Sequence, residues 1–220
     1  MTDRNKKTVF LIGAGELDSD TAEIIRQDRT KEVMVIALDG GLAFCVEHSI
    51  LPDRIVGDFD SLPVENRKLL EEYPNEIIYR LPCEKDDTDT LAAIRMAVEM
   101  GYEEFVIYGG LGGRLSHTIA NIQCLMFLKE QGLYGELVGN GSRILVIKDE
   151  KVVIPAKEKG YVSVFAYSEK TEGVMIKNLK YEVEDAELAN GFPIGVSNEF
   201  VGMEAEISVK KGTLLVVVEA

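Results

Sequence analysis

The sequence predicts an α/β fold in two parts: an N-terminal, mainly parallel sheet flanked by helices, followed by a C-terminal all-β sandwich domain. Three observations predict it. Up to about residue 140, short β-branched runs alternate with longer stretches of helical periodicity, the pattern of parallel strands joined by crossover helices. Beyond that point strand-like runs follow one another at short intervals and no convincing amphipathic helix remains, as in a small sandwich. Between the two styles stands Asn140-Gly141-Ser142, a turn-forming tripeptide. The expected domains are therefore residues 1–140 and 141–220.

In the first half the strand-like runs are residues 9–12, 33–38, 54–57, 77–81, 104–108 and 135–139. Two helical segments lie between them. Residues 88–100 place Leu91, Ile94 and Val98 on one stripe, and residues 115–131 place Leu115, Ile119, Ile122 and Met126 on another, at the helical period. In the second half the runs at 143–148, 152–154, 161–166, 173–177, 181–188, 205–209 and 214–219 are punctuated by Gly, Lys-Glu and Asn-Gly.

Composition narrows the function. Against 24 basic residues stand 38 acidic ones, a formal charge of -14 over 220 residues. A nucleic-acid binder needs a basic face to displace counterions, so no nucleic-acid partner is expected. Anionic substrates remain open, because a bound cation can supply positive charge, and a cationic substrate is mildly favoured. Cys45, Cys83 and Cys124 are widely spaced with no CxxC, which points away from a disulfide framework or zinc site and towards a reducing cytoplasm. The polar start, Met1 to Lys7, runs into an apolar stretch too short for a signal segment or membrane span, so no membrane partner is expected either.

In a parallel sheet, ligands bind beyond the carboxyl ends of the strands. After the second run comes Asp39-Gly40-Gly41, after the third Gly57-Asp58-Phe59-Asp60-Ser61, after the fourth Lys85-Asp86-Asp87-Thr88-Asp89, and after the fifth Gly109-Gly110-Leu111-Gly112-Gly113-Arg114. This convergence on one rim is more informative than any single motif. Asp58 and Asp60, two residues apart in a turn, can chelate one hard cation such as Mg²⁺. Helix capping explains Asp60 or Ser61 but not Asp58. Capping also explains acids among Asp86, Asp87 and Asp89, although three so close together repel unless a cation is near. The glycine run lets backbone approach a ligand, the following helix start favours an anion, and Arg114 offers a planar fork for phosphate oxygens. A plain strand-to-helix loop is the alternative. Gly13-Ala14-Gly15 lacks the third glycine of a dinucleotide loop and is a weak signal. His48 reads as structural, and for His117 a packing or capping role stands beside proton transfer.

At these residues the chain resembles thiamine pyrophosphokinases. The resemblance runs through Asp39-Gly40-Gly41, Ile50-Leu51-Pro52-Asp53, the stretch from Ile55 to Ser61, Lys85-Asp86-x-Thr88-Asp89, the stretch from Gly109 through Gly112, Gly113, Arg114 and His117 to Asn121, and Gly195-Val196-Ser197-Asn198-Glu199. It implies an ATP-binding catalytic α/β domain, a thiamine-binding and dimerising β-sandwich, and a homodimer with active sites at the interface. It implies Mg²⁺ on Asp58, Asp60, Asp86 and Asp89, these acids acting with Arg114 in catalysis. ATP would meet Asp39, Gly40, Gly41, Lys85, Thr88, Gly109, Gly112, Gly113, Arg114, Ser116 and His117. Thiamine would meet Ser197 and Asn198. Two positions depart from the family pattern: Ser116 replaces an acid, and Ala43 an asparagine. With no tryptophan in the chain, Phe192, Phe200 or a tyrosine must supply any aromatic platform.

The expected reaction is diphosphate transfer from ATP to thiamine, giving thiamine diphosphate and AMP, through positioning and charge neutralisation. Two alternatives stand beside it: transfer to another hydroxymethyl heterocycle such as a pterin, and a non-catalytic nucleotide-sensing module. The second explains the many metal-type ligands less well.

Overall fold

The computed structural model describes residues 6–30, 32–59, 68–82 and 86–219. The chain divides into two compact units, the first ending at Asn140 and the second beginning at Gly141.

The first unit runs β1 (Thr8–Ile12), α1 (Ser19–Asp28), β2 (Val33–Leu38), α2 (Gly41–Glu47), β3 (Arg54–Gly57), two short 3₁₀ turns, β4 (Ile78–Arg80), α3 (Asp89–Glu99), β5 (Glu104–Tyr108), α4 (Leu115–Glu130) and β6 (Tyr134–Gly139). Its strands are all parallel, in the order β6-β5-β1-β2-β3-β4. Every residue of β1 and β5 is buried, because helices cover both faces of a parallel sheet and leave no solvated side to alternate with. Phe10, Ile12, Val35, Ala37 and Val106 pack on one face with Ala22 and Ile25 of α1 and Leu42 of α2. On the other face α3 packs across β1, β2 and β3 and also against α4, which lies on β6. Asp18 starts α1 by accepting from the Thr21 amide at 2.8 Å, and Thr88 starts α3 by accepting from the Leu91 amide at 3.2 Å, the usual way of satisfying orphan helix donors.

One expected stripe faces the wrong way. In α4 Leu115 and Ile119 are 72% and 51% exposed, while Asn121, Cys124, Leu125 and Leu128 are buried. The run from Cys124 to Leu128 is apolar at every position, so helical period alone selects no face. Neither α1 nor α2 was singled out by periodicity: α1 carries few apolar residues and α2 spans only 7 residues.

The second unit is a sandwich of two antiparallel sheets. One has the order β12-β9-β14-β7, from Asn198–Glu199, Tyr161–Ala166, Thr213–Glu219 and Ser142–Lys148; the other has β11-β10-β13-β8, from Val183–Ala189, Lys170–Lys177, Ala205–Ser208 and Lys151–Ile154. Leu145, Val162, Val164 and Val216 of the first sheet meet Val174, Ile176 and Ile207 of the second in one core. The two-residue β12 was not expected; it pairs with β9 through Asn198 opposite Val162 and Glu199 opposite Tyr161. Among the described residues no helix is long and apolar enough to cross a membrane.

Candidate functional site: the carboxyl rim of the parallel sheet

The chain steps outward from β1 through β2, β3 and β4, then returns to the other side of β1 as β5. The strand order reverses between β1 and β5, the place where open α/β sheets form a ligand crevice. Gly13-Ala14-Gly15 stands there, but its donors are turned inward. The Gly13 amide donates to Tyr108 O at 2.8 Å and the Gly15 amide to Gly109 O at 2.9 Å. A Cβ on Gly15 would overlap Gly109 O, and one on Gly109 would lie 2.6 Å from Gly13 O. These glycines let two loops close on each other, which explains why the dinucleotide pattern was incomplete.

Beside this crevice β2 is followed by Asp39, whose φ is 41° and whose amide donates to Val56 O at 2.9 Å. A Cβ on Gly41 would overlap Ile12 O, so α2 can begin where it does only with glycine there. A Cβ on Gly57 would lie 3.2 Å from Cα and Cβ of Asp39, so the ends of β2 and β3 are in close contact. Asp58 follows, half-buried. Phe59 takes a φ of 60° and buries its ring in the core, anchoring the chain directly after the acid. Asp60 and Lys85 lie outside the described residues.

Past β4, Asp86 is exposed, and Asp87 is bound to Arg95 at 3.2 Å. The Thr88 hydroxyl oxygen is the α3 cap, and Asp89 is the first residue of that helix. The four acids therefore differ in place: Asp58 follows β3, Asp86 and Asp87 precede α3 with Asp87 paired to Arg95, and Asp89 opens α3. Carboxylate oxygens are the ligands Mg²⁺ prefers, with phosphate oxygens and water completing its shell, so the donor chemistry fits that ion. Among the described residues no three His, Cys, Asp or Glu side chains are gathered into a preformed cage. Arg80, the last residue of β4, places its guanidinium carbon 5.4 Å from the Phe59 ring centre.

On the far side of β1 the loop after β5 carries Gly109, Gly112 and Gly113, all at positive φ. It delivers Arg114 as the cap residue of α4, with no side-chain capping bond. Arg114, Ser116 and His117 are exposed, so the first turn of α4 is open, a favourable setting for an anion. Ser116 lies inside the helix and does not cap it. His48, by contrast, closes α2 with its ring 4.5 Å from that of Phe44.

In the second unit Ser197 is exposed at a φ of 59°, its amide donating to Ser163 Oγ at 3.0 Å. The adjoining Asn198 is buried and makes three hydrogen bonds to backbone. Its Oδ1 accepts from the Tyr181 amide at 2.9 Å and the Glu199 amide at 3.0 Å, and its Nδ2 donates to Tyr181 O at 2.7 Å. These bonds tie the segment that carries Ser197 to Tyr181. Phe200 is 6% exposed and belongs to the core, whereas Phe192 is 65% exposed; of the two, Phe192 is the one that can serve as a platform.

This fold and rim define a class: a doubly wound α/β unit with carboxylates and a glycine-arginine loop about its switch point, followed by a β-sandwich. Residues 25–134 match the thiamin pyrophosphokinase catalytic domain, and residues 145–214 match the thiamin pyrophosphokinase vitamin B1 binding domain. The chain belongs to the thiamin pyrophosphokinase family. It is similar to the thiamine pyrophosphokinase of Bacillus subtilis strain 168, with 28% identity over 184 residues, covering 83% of this chain and 85% of the relative. The crystal structure of thiamine pyrophosphokinase from Bacillus subtilis superposes with a TM-score of 0.87 at 25% identity, covering 97% of this chain and 99% of the other. That of thiamin pyrophosphokinase from Geobacillus thermodenitrificans gives 0.84 at 25% identity, covering 97% of each.

Proposed function

We propose that this chain transfers a diphosphate group from ATP to the hydroxyl of thiamine, releasing thiamine diphosphate and AMP. The observation that carries the reading is the succession, in one chain, of a match to the family's catalytic domain and a match to its vitamin B1 binding domain. The rim supports it: acids after β3 and at the start of α3, and an open helix start preceded by glycines and Arg114.

The thiamine hydroxyl oxygen attacks the β-phosphorus in line. A new P–O bond forms, the bond from the β-phosphorus to the bridging oxygen breaks, AMP leaves with that electron pair, and the hydroxyl proton passes to a base. Arg114 and the amides of the Gly109–Gly113 loop grip phosphate oxygens, with Lys85, Thr88, Ser116 and His117 completing the ATP side. Asp39, Gly40 and Gly41 bound the crevice next to the nucleotide. Asp58, Asp60, Asp86 and Asp89 would hold Mg²⁺, which would supply neutralisation of the triphosphate charge. Ser197 and Asn198 offer hydrogen bonds to the thiamine aminopyrimidine, and the bonds of Asn198 to Tyr181 order the segment that carries both. The negative chain suits the positive thiazolium. The protein works in the cytoplasm as a homodimer with its active sites at the subunit interface.

The test is product formation. With ATP, Mg²⁺ and thiamine, AMP and thiamine diphosphate should appear in equal amounts, and omission of Mg²⁺ should abolish both. AMP with a hydroxymethylpterin instead of thiamine would reassign the acceptor, and AMP with neither would refute the reading.

A further inference from the structure

Asn121 lies well inside α4 yet is only 8% exposed. Asparagine is a weak helix former, and a buried amide is costly unless bonded. A leucine would fill the space without that cost. The amide has a definite use: its Nδ2 donates to Gly110 O at 2.8 Å, reaching back 11 residues to the loop that precedes its own helix. The Gly110 peptide is also pressed from the sheet side. A Cβ there would lie 2.9 Å from Leu137 Cδ2 and 3.1 Å from Ile107 Cγ2. On either side the loop takes left-handed turns at Gly109, Gly112 and Gly113. Glycines at such positions leave a free loop many alternative courses. A hydrogen bond from a rigid helix selects one of them. A second, longer bond, from Thr118 Oγ1 to Gly112 O at 3.4 Å, comes from the same helix.

We propose that Asn121 is a positioning residue for phosphate binding: by fixing the Gly110 peptide it sets the course of the loop that delivers Gly112, Gly113 and Arg114. The proposal rests on the diphosphate-transfer reading for what the loop holds. Asn121 does not touch the nucleotide; it acts through Arg114 and the loop amides. A purely structural asparagine would lower stability and affect both substrates alike. A positioning asparagine affects ATP selectively and couples to Arg114.

Both consequences are measured by calorimetric titration of ATP with Mg²⁺, and of thiamine, below the onset of unfolding. Asn121→Leu keeps the volume and removes the donor; Asn121→Ala serves if leucine does not fold. Loss of the bond should weaken ATP binding about ten-fold and change thiamine binding less than about two-fold. In a double-mutant cycle, Arg114→Ala should cost much less in the Asn121→Leu background than alone, since a misplaced loop no longer delivers the guanidinium. AMP formation by the unsubstituted chain tests the parent reading separately, because the titrations need no turnover. Unchanged ATP affinity in a folded Asn121 variant, or an additive cycle, overturns the proposal.

Discussion

At the end of β3 the chain passes from a buried strand to a half-buried acid and then to an anchored phenylalanine, and asparagine keeps the shape of Asp58 while removing its charge. Asp58→Asn should leave the thermal midpoint nearly unchanged and lower turnover by roughly 10²-fold or more, the scale of losing a key electrostatic group; near-normal rates at limiting Mg²⁺ would remove Asp58 from the cation site. Arg114 poses a geometric question. Lysine keeps its charge but not its fork, so Arg114→Lys should lower kcat/KM for ATP, and full activity in that variant would reduce Arg114 to a diffuse charge. Ser197 and Asn198 should part company although they are neighbours. Ser197→Ala, at an exposed residue, should weaken thiamine binding about ten-fold with little change in stability. Asn198→Ala strands the Tyr181 amide and carbonyl and the Glu199 amide, and should cost about 2–4 kcal/mol in urea unfolding. Equal stability losses in the two variants would contradict the tie from Asn198 to Tyr181.

Elements differ in how plainly the sequence announces them, and the reasons are physical. β1, β2 and β5 are legible because a strand buried on both faces must be an unbroken apolar run. α1 is illegible because Ala22 and Ile25 alone among its residues are buried, too few to mark a stripe, and β12 because two residues make no pattern. The face of α4 is misread because the run from Cys124 to Leu128 is apolar all round. At the rim, the individual acids and glycines are visible as residues that follow strands. Their neighbours in space are not: sequence places β1 before β2, but only the fold inserts β1 between β5 and β2, which turns Gly13 and Gly15 from ligand donors into packing glycines. The tie from Asn121 to Gly110 and the use of Asn198 are likewise side-chain choices without periodicity. The element boundary most sensitive to one atom is the start of α2. Gly41→Ala drives a Cβ into Ile12 O and should cost about 3 kcal/mol, the upper end for overpacking. Gly191→Ala, where nothing lies within 4 Å, should stay within about 0.5 kcal/mol. Similar urea midpoints for the two variants would show that α2 can shift to accommodate the methyl.

Across the first unit as a whole, two thiols report from opposite sides of one sheet. Cys45 is wholly buried with α1 and α2 on one face, and Cys124 is 4% exposed on α4 against the other. Burial pushes the Cys45 thiol up to about 12, slightly opposed by Arg29, and the Cys124 thiol up to about 11, aided by the negative charge of Asp87. Only the thiolate is nucleophilic, so neither should react with a disulfide reagent at pH 8 while the sheet stays covered. In a Cys83→Ser background that leaves these two, labelling should require opening of the unit. If the faces open together, both thiols should be modified at one rate that rises with urea; rapid modification of one alone would show that its helix layer opens by itself. The same shifts fix the sign of the alkaline response. A thiol whose folded value is raised favours folding fully below the ordinary value of 9.0, and that contribution is lost as pH rises through about 11 to about 12. Urea midpoints should therefore fall between pH 9 and the folded values, and Cys45→Ala should fall less steeply than its parent over that range. Parallel pH dependences for the two would mean that the Cys45 thiol ionises as easily in the folded protein as in the unfolded chain.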